Sequence, residues 1–290
     1  PGDGGLPGDH DGREQGRHRP GEANRVGDHG GGDERGADDH AEQTARGRPR
    51  SARPLDLGGD QLAEHRAGES DRERRGPQAL ADRVAGALQY AVVNHDRASL
   101  VVSGGRSPIA FFEALSMREL PWAKVQVSLA DERWVEPSDP DSNEGLLRRH
   151  LLQNAAADAQ LVGLYQAAQT LEEAAERAGE KLAGIAQPID VLVLGMGNDG
   201  HTASLFPNSP LLERGLDENG TDLCLPMQAP VSPEQRISMT YPLLASARVQ
   251  CLAIQGSAKL ETLRQAMRLE PSQMPIRAFL HSPLEIYWCP

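Results

Sequence analysis

A doubly wound α/β fold, with a mostly parallel sheet flanked by helices, is the class the sequence predicts, and three stretches carry that expectation. Residues 98–102, 189–194 and 249–255 are short apolar runs containing β-branched residues, and each passes directly into a turn that contains glycine. Continuous apolar runs of this length belong to strands covered on both faces, as in a parallel sheet. Glycine at the carboxyl end of such a strand lets the chain turn sharply and leaves backbone N–H groups free for a ligand. In open α/β sheets the crevice at those ends is where substrates bind.

Taken in order, residues 1–75 stand apart. They are rich in Gly, Asp, Glu, Arg and His, contain no aromatic residue and no lysine, and show no apolar period long enough for a packed element. The segment is therefore expected to be disordered and of low complexity, ahead of an α/β domain over residues 76–290. Translation of G+C-rich DNA in a non-native frame produces the same bias, and an interaction tail of mixed charge is the third reading.

From Pro77 the character changes. Leu80, Val84, Leu88 and Ala91 fall at near-helical spacing and predict an amphipathic helix. The 98–102 strand then runs into Ser103-Gly104-Gly105-Arg106-Ser107-Pro108, with a hydroxyl on either side and a proline at a helix-opening position. Backbone N–H groups at such a turn suit a phosphate, with Arg106 as a charge partner; a tight turn with a solvent-facing arginine is the plainer alternative. Residues 124–130 form the next strand, ending in Asp131-Glu132-Arg133. Three charges there are costly if buried alone, so they face a cleft or pair with one another. Asn143 opens a helical stretch and is equally a helix cap, while His150 reads as an exposed helix residue. A short strand over 161–165 and an amphipathic helix over 171–186 follow.

The 189–194 strand delivers the chain to Gly195 and Gly197, with Asp199 and His201 two residues apart at the expected opening of the next helix. A carboxylate stands there beside the side chain whose unperturbed pKa best suits proton transfer near neutrality. By spacing alone the loop is only a glycine turn. Residues 208–222 are a turn-rich surface excursion, and 223–227 and 236–241 read as strands. After 249–255 come Gly256 and a helix with Lys259 in its first turn, where a cation opposes the helix dipole and so calls for a partner. Residues 284–289 are the closing strand.

Composition narrows the function. With 42 acidic against 30 basic side chains and a net charge of -12, the chain is not a general nucleic-acid binder. Its three cysteines are odd in number and widely spaced, which supports buried thiols in a reducing cytoplasm rather than disulfides or a zinc site. No apolar stretch approaches the roughly 20 residues that span a bilayer, and no signal sequence is evident.

The stretch G-M-G-N-D-G-H-T-A-S-L-F-P at 195–207 resembles the signature of the 6-phosphogluconolactonase family, which implies a Rossmann-like fold of the sugar-phosphate-isomerase type. The related glucosamine-6-phosphate deaminases share G-x-G-x-D-G-H but continue with isoleucine and Asn-Glu-Pro, whereas this chain has Thr202 to Pro207. The S-G-G-R-S-P turn, D-E-R followed by Ser142-Asn143, R-I-S-M-T from Arg236, and a strand followed by G-x-x-K are similar to further family blocks, so the resemblance covers about residues 77–290.

It implies hydrolysis of 6-phospho-D-glucono-1,5-lactone in the oxidative pentose phosphate pathway. His201 is then the general base on water, and Asp199 orients its ring or binds sugar. Phosphate is held by Arg133, Lys259 and the Ser103, Gly104, Gly105, Arg106, Ser107 loop. Asp131, Asn143, Gly195, Gly197 and Arg236 complete the substrate site. The chemistry requires no metal or nucleotide cofactor. The expected partner is a small sugar-phosphate lactone, with no nucleic acid or membrane, bound by a cytoplasmic monomer or homodimer. The missing G-x-S-x-G elbow argues against an acyl-serine hydrolase. Two alternatives remain at this level: a deaminase or isomerase using the same loop, and a non-catalytic sugar-phosphate-binding regulator. Family members also carry a strand ahead of the first helix, where this chain is hydrophilic.

Overall fold

The computed structural model describes residues 69–281 and 283–290. The expectation for residues 1–75 lies outside the described residues except at its end, because helix α1 runs Glu69–His95 with Pro77 inside it. It begins ahead of the change in composition rather than at it. Leu80, Val84, Leu88 and Ala91 are all buried, as their spacing requires, and α1 packs on the sheet and on the helix that follows. Among the described residues no strand precedes it.

In chain order the remaining elements are β1 Ala98–Val102, α2 Ile109–Ser116, β2 Val125–Leu129, β3 Asp131–Arg133, α3 Asn143–His150, β4 Gln160–Val162, α4 Leu171–Leu182, β5 Val191–Leu194, α5 Leu212–Leu216, β6 Cys224–Gln228, β7 Gln235–Met239, α6 Tyr241–Ala245, β8 Val249–Gln255, α7 Ser257–Ala266 and β9 Leu284–Cys289. Six strands form one sheet in the order β4-β2-β1-β5-β8-β9, and every neighbouring pair is parallel. The chain enters this sheet at its centre, builds outward through β2 and β4, then returns to place β5 on the other side of β1. That reversal makes the β1/β5 boundary a topological switch point, the position at which such sheets open a crevice. Every residue of β1 and β5 is buried, in keeping with a sequence that is apolar in both strands apart from Ser99.

The second sheet is not foreseen by the sequence. Strand β2 stops at Leu129, and Ala130 then links the two sheets: its N–H donates to the Val102 carbonyl (2.8 Å) and its carbonyl accepts from Met239 N–H (2.9 Å). Asp131–Arg133 thus leave the parallel sheet and open an antiparallel one, ordered β3-β7-β6. The stretches expected as strands at 223–227 and 236–241 supply the other two members, with β7 ending at Met239 and Tyr241 opening α6.

The stretch after β5 differs most from expectation. No helix starts at Asp199; the chain from 195 to 211 is a succession of turns with one isolated bridge between Thr202 and Leu205. Asp199 Oδ1 accepts from His201 N–H (3.2 Å), and such side-chain-to-backbone bonds compete with helix formation. Gly197 N–H also donates to the His201 carbonyl (2.8 Å), closing a tight loop. Among the described residues no helix is long and apolar enough to cross a membrane.

Candidate active site

The carboxyl ends of β1, β5 and β8 open into a cavity of about 530 Å³. The turn after β1 is fixed on its neighbour, since Ser103 N–H donates to the Val193 carbonyl of β5 (2.9 Å). Ser103, Gly104, Gly105 and Ser107 line the cavity from this turn, and Gly195, Gly197 and His201 line it from the loop after β5. Asp131 and Arg133 enter from β3, Asn143 from α3, Arg236 from β7 and Lys259 from α7. Twelve of the fourteen residues singled out from sequence therefore share one wall-to-wall space. Arg106 does not: it is exposed and outside the lining. Asp199 is also outside the lining and is hydrogen-bonded to the lining residue His201.

That contact is short. His201 Nδ1 lies 2.6 Å from Asp199 Oδ1. Burial pushes the Asp199 carboxyl up, but the hydrogen bond and charge of the His201 ring, with backbone N–H groups of His201 and Asp199, outweigh it and hold the group below the ordinary 3.8. An ionised carboxylate only accepts hydrogen bonds, so Nδ1 is the donor, and in the neutral ring the lone pair is on Nε2. The Phe206 ring packs on the imidazole with centroids 4.4 Å apart. Gly197 is required by close approach: a Cβ there would overlap both the His201 ring and the Asp199 carboxylate.

Positive charge gathers on the facing elements. Arg133 and Arg236 are directly opposite in the β3–β7 register, an arrangement that costs free energy unless an anion joins it. Burial lowers the Arg236 guanidinium pKa and Arg133 lowers it further, while Asp131 and Glu132 raise it. Its Nε donates to the Pro233 carbonyl (2.8 Å), and its Cζ stands 5.8 Å from the Phe206 centroid. Lys259 finds the partner its place at the helix start demands in the Met196 carbonyl (2.7 Å); burial lowers its pKa and Asp199 opposes that. Two buried polar atoms of the lining, Ser103 Oγ and Arg133 Nε, have no hydrogen-bond partner. Buried groups of this kind are normally satisfied, so both fit a polar ligand.

The charged triplet divides: Asp131 and Arg133 face the cavity, as one of the two sequence readings expects, and Glu132 does not. Asp131 accepts from Ser204 Oγ (2.6 Å), and Arg133 Nη1 donates to Asn143 Oδ1 (2.8 Å) and the Asp141 carbonyl (2.9 Å). Glu132 is fully buried and faces backbone donors rather than a countercharge. The helix cap of α3 is Ser142, whose hydroxyl accepts from Gly145 N–H (3.0 Å), which frees Asn143 to bridge Arg133 and the Asp131 carbonyl (2.9 Å). His150 pairs with Glu113 at 3.0 Å, outside the cavity lining. Sequence reasoning assigned no role to Thr202, Ser204 and Phe206. Thr202 Oγ1 donates to the Gly195 carbonyl (2.8 Å) and locks the loop; only the run of polar and aromatic residues after His201 hinted at them.

The profile of the family described as glucosamine-6-phosphate isomerases/6-phosphogluconolactonase matches residues 71–288. A 6-phosphogluconolactonase of Pseudomonas aeruginosa is 58% identical over 214 residues, covering 73% of this chain and 90% of that protein. One from Rhizobium meliloti is 47% identical over 217 residues, covering 73% and 94%. A crystal structure of a 6-phosphogluconolactonase from Shewanella baltica OS155 superposes with a TM-score of 0.71 at 42% identity, covering 74% of this chain and 93% of its own.

Proposed function

The chain belongs to the glucosamine-6-phosphate isomerase/6-phosphogluconolactonase family, and from that membership we infer that it hydrolyses 6-phospho-D-glucono-1,5-lactone to 6-phosphogluconate in the pentose phosphate pathway. It is a hydrolase acting on a sugar-phosphate ring ester, working in the cytoplasm as a monomer or homodimer. The observation that carries the mechanism is the 2.6 Å contact between Asp199 and His201 Nδ1 at the cavity wall.

In this reading Nε2 of His201 takes a proton from water as the water oxygen bonds to C1. The tetrahedral intermediate then collapses, the bond from C1 to the ring oxygen breaks, and the proton passes from Nε2 to that oxygen. Asp199 stabilises the imidazolium between the two transfers, and Phe206 holds the ring plane. The 6-phosphate is held by Arg133 and Lys259, with Arg236 adding charge, and by the N–H groups of the Ser103–Ser107 turn. Arg106, exposed as it is, takes no direct part. Ser103 Oγ and Arg133 Nε gain partners when the substrate enters.

The test is the rate of acid release from freshly prepared 6-phosphogluconolactone, corrected for spontaneous opening, beside the same measurement on unphosphorylated gluconolactone. Strong acceleration of the first and weak acceleration of the second is expected. Release of ammonia or a ketose from an amino-sugar or aldose phosphate, without lactone hydrolysis, would assign the deaminase or isomerase activity instead. Binding without turnover would leave a regulator.

A further inference from the structure

Glu132 lies between two cavity residues, Asp131 and Arg133, yet does not line the cavity and is 0% exposed. Four donors converge on its carboxylate. Oε1 accepts from the N–H groups of Arg133 (2.7 Å) and Asn143 (2.8 Å). Oε2 accepts from Glu144 N–H (2.7 Å) and Ser142 Oγ (3.2 Å). Three of those donors belong to the first turn of α3 and its cap, so one side chain fixes where that helix begins. The helix start in turn places Asn143, whose amide has three neighbours: Arg133 Nη1 and the Asp131 carbonyl by hydrogen bonds, and Gly104, where a Cβ would overlap the Asn143 amide.

We propose that Glu132 is a positioning residue for substrate binding: by pinning the start of α3 it sets Asn143, and through Asn143 it fixes the Arg133 guanidinium against the Ser103–Ser107 turn. The inference rests on the lactonase reading and on Arg133 as a phosphate ligand. Glu132 itself never meets the substrate. Its substitution acts on binding through Arg133, and the two residues behave as one unit.

The experiment compares wild type, Glu132→Gln, Arg133→Ala and the double variant on phosphorylated and unphosphorylated lactone. The glutamine keeps the shape but turns an amide N–H₂ toward backbone N–H donors. KM for the phosphorylated lactone is expected to rise roughly tenfold, within the range of coupled neighbours, with a smaller change in kcat and little change on the unphosphorylated lactone. The double variant is expected to be no worse than Arg133→Ala alone. Additive losses, equal losses on both substrates, or a lowered melting temperature with unchanged KM would each overturn the proposal. If Glu132→Gln does not fold, Ser142→Ala removes one of the four donors and carries the same decision: a smaller, phosphate-selective KM rise supports the proposal and an unselective one overturns it. Inactive wild-type protein would count against the lactonase reading alone, and calorimetric titration of 6-phosphogluconate into the same variants would still decide the role of Glu132.

Discussion

Strands β1 and β5 run side by side, and their two ends are built on opposite plans. At the amino ends the polar groups close on one another. Asp190 Oδ2 accepts from Ser99 N–H (2.9 Å), Ser99 Oγ accepts from Asp190 N–H (3.0 Å) and has its single proton within reach of the Ala186 carbonyl (2.9 Å) or, at longer range, Asp190 Oδ2 (3.3 Å), and Arg248 Nε approaches Asp190 Oδ1 at 3.6 Å. At the carboxyl ends the turns spread into the cavity, with Ser103 Oγ and Arg133 Nε left without partners and two arginines in facing register. Ser99 and Asp190 satisfy one another within the chain, whereas Ser103 Oγ and Arg133 Nε find no partner in it. The contrast separates residues whose loss lowers stability from residues whose loss lowers turnover.

The sharpest break of that contrast is His201→Asn at the open end. Turnover should fall on the order of 10²- to 10⁴-fold, the usual range for a general base, while the melting temperature and product affinity stay near wild type. A folded variant with near-normal turnover would move the base elsewhere. Gly197→Ala comes next. Its methyl would displace the Asp199–His201 pair, and a loss of roughly 10²-fold in kcat is expected from misplacement of this kind; an unchanged rate would show that the pair tolerates a shifted loop.

At the closed end the expected signs reverse. Asp190→Ala leaves the buried Ser99 N–H without its acceptor, so unfolding free energy should drop by about 1–3 kcal/mol, measured by denaturant titration, with kcat/KM per folded molecule unchanged. A catalytic defect without loss of stability would erase the distinction between the ends. The smallest effect concerns acid. Because the Asp199 carboxyl is held below 3.8, its contribution to stability is present above that value and is lost as pH falls through the lower folded value. Asp199→Asn should therefore flatten the acid limb of the stability profile below about 3.8, and an unaltered limb would deny the pairing.

What the sequence revealed followed from distance along the chain. Asp199 and His201 are two residues apart, and Ser103–Ser107 and Lys259 directly follow apolar strands, so local spacing marked them as candidates, while the roles given to them came from the family resemblance. Strands β1, β5 and β8 were legible because burial on both faces leaves a predominantly apolar run, broken by Ser99 in β1 and by Gln250 and Gln255 in β8. Glu132 was legible as a charge but not as a clamp, because three of its four donors, Ser142 Oγ and the N–H groups of Asn143 and Glu144, lie 10, 11 and 12 residues on. The Asp131–Ser204 bond joins residues 73 apart in sequence, and no period announces it. The three-residue β3 is too short for alternation to register, which concealed the second sheet. The expected helix at Asp199 failed because the side-chain and glycine chemistry of the loop favours turns over helix, a competition that the strand-then-helix rhythm of the rest of the domain masks.

The central claim, that Asp199 holds His201 with its proton on Nδ1 and its lone pair on Nε2 at the cavity, is tested most directly by nitrogen-15 chemical shifts of the His201 ring. The measurement is made on labelled, ligand-free enzyme at the pH of the lactone assay and assigned by comparison with His201→Asn. The account predicts a protonated Nδ1 and an unprotonated Nε2, with the balance altered in Asp199→Asn. A His201 ring with its proton on Nε2 in the active enzyme would contradict it.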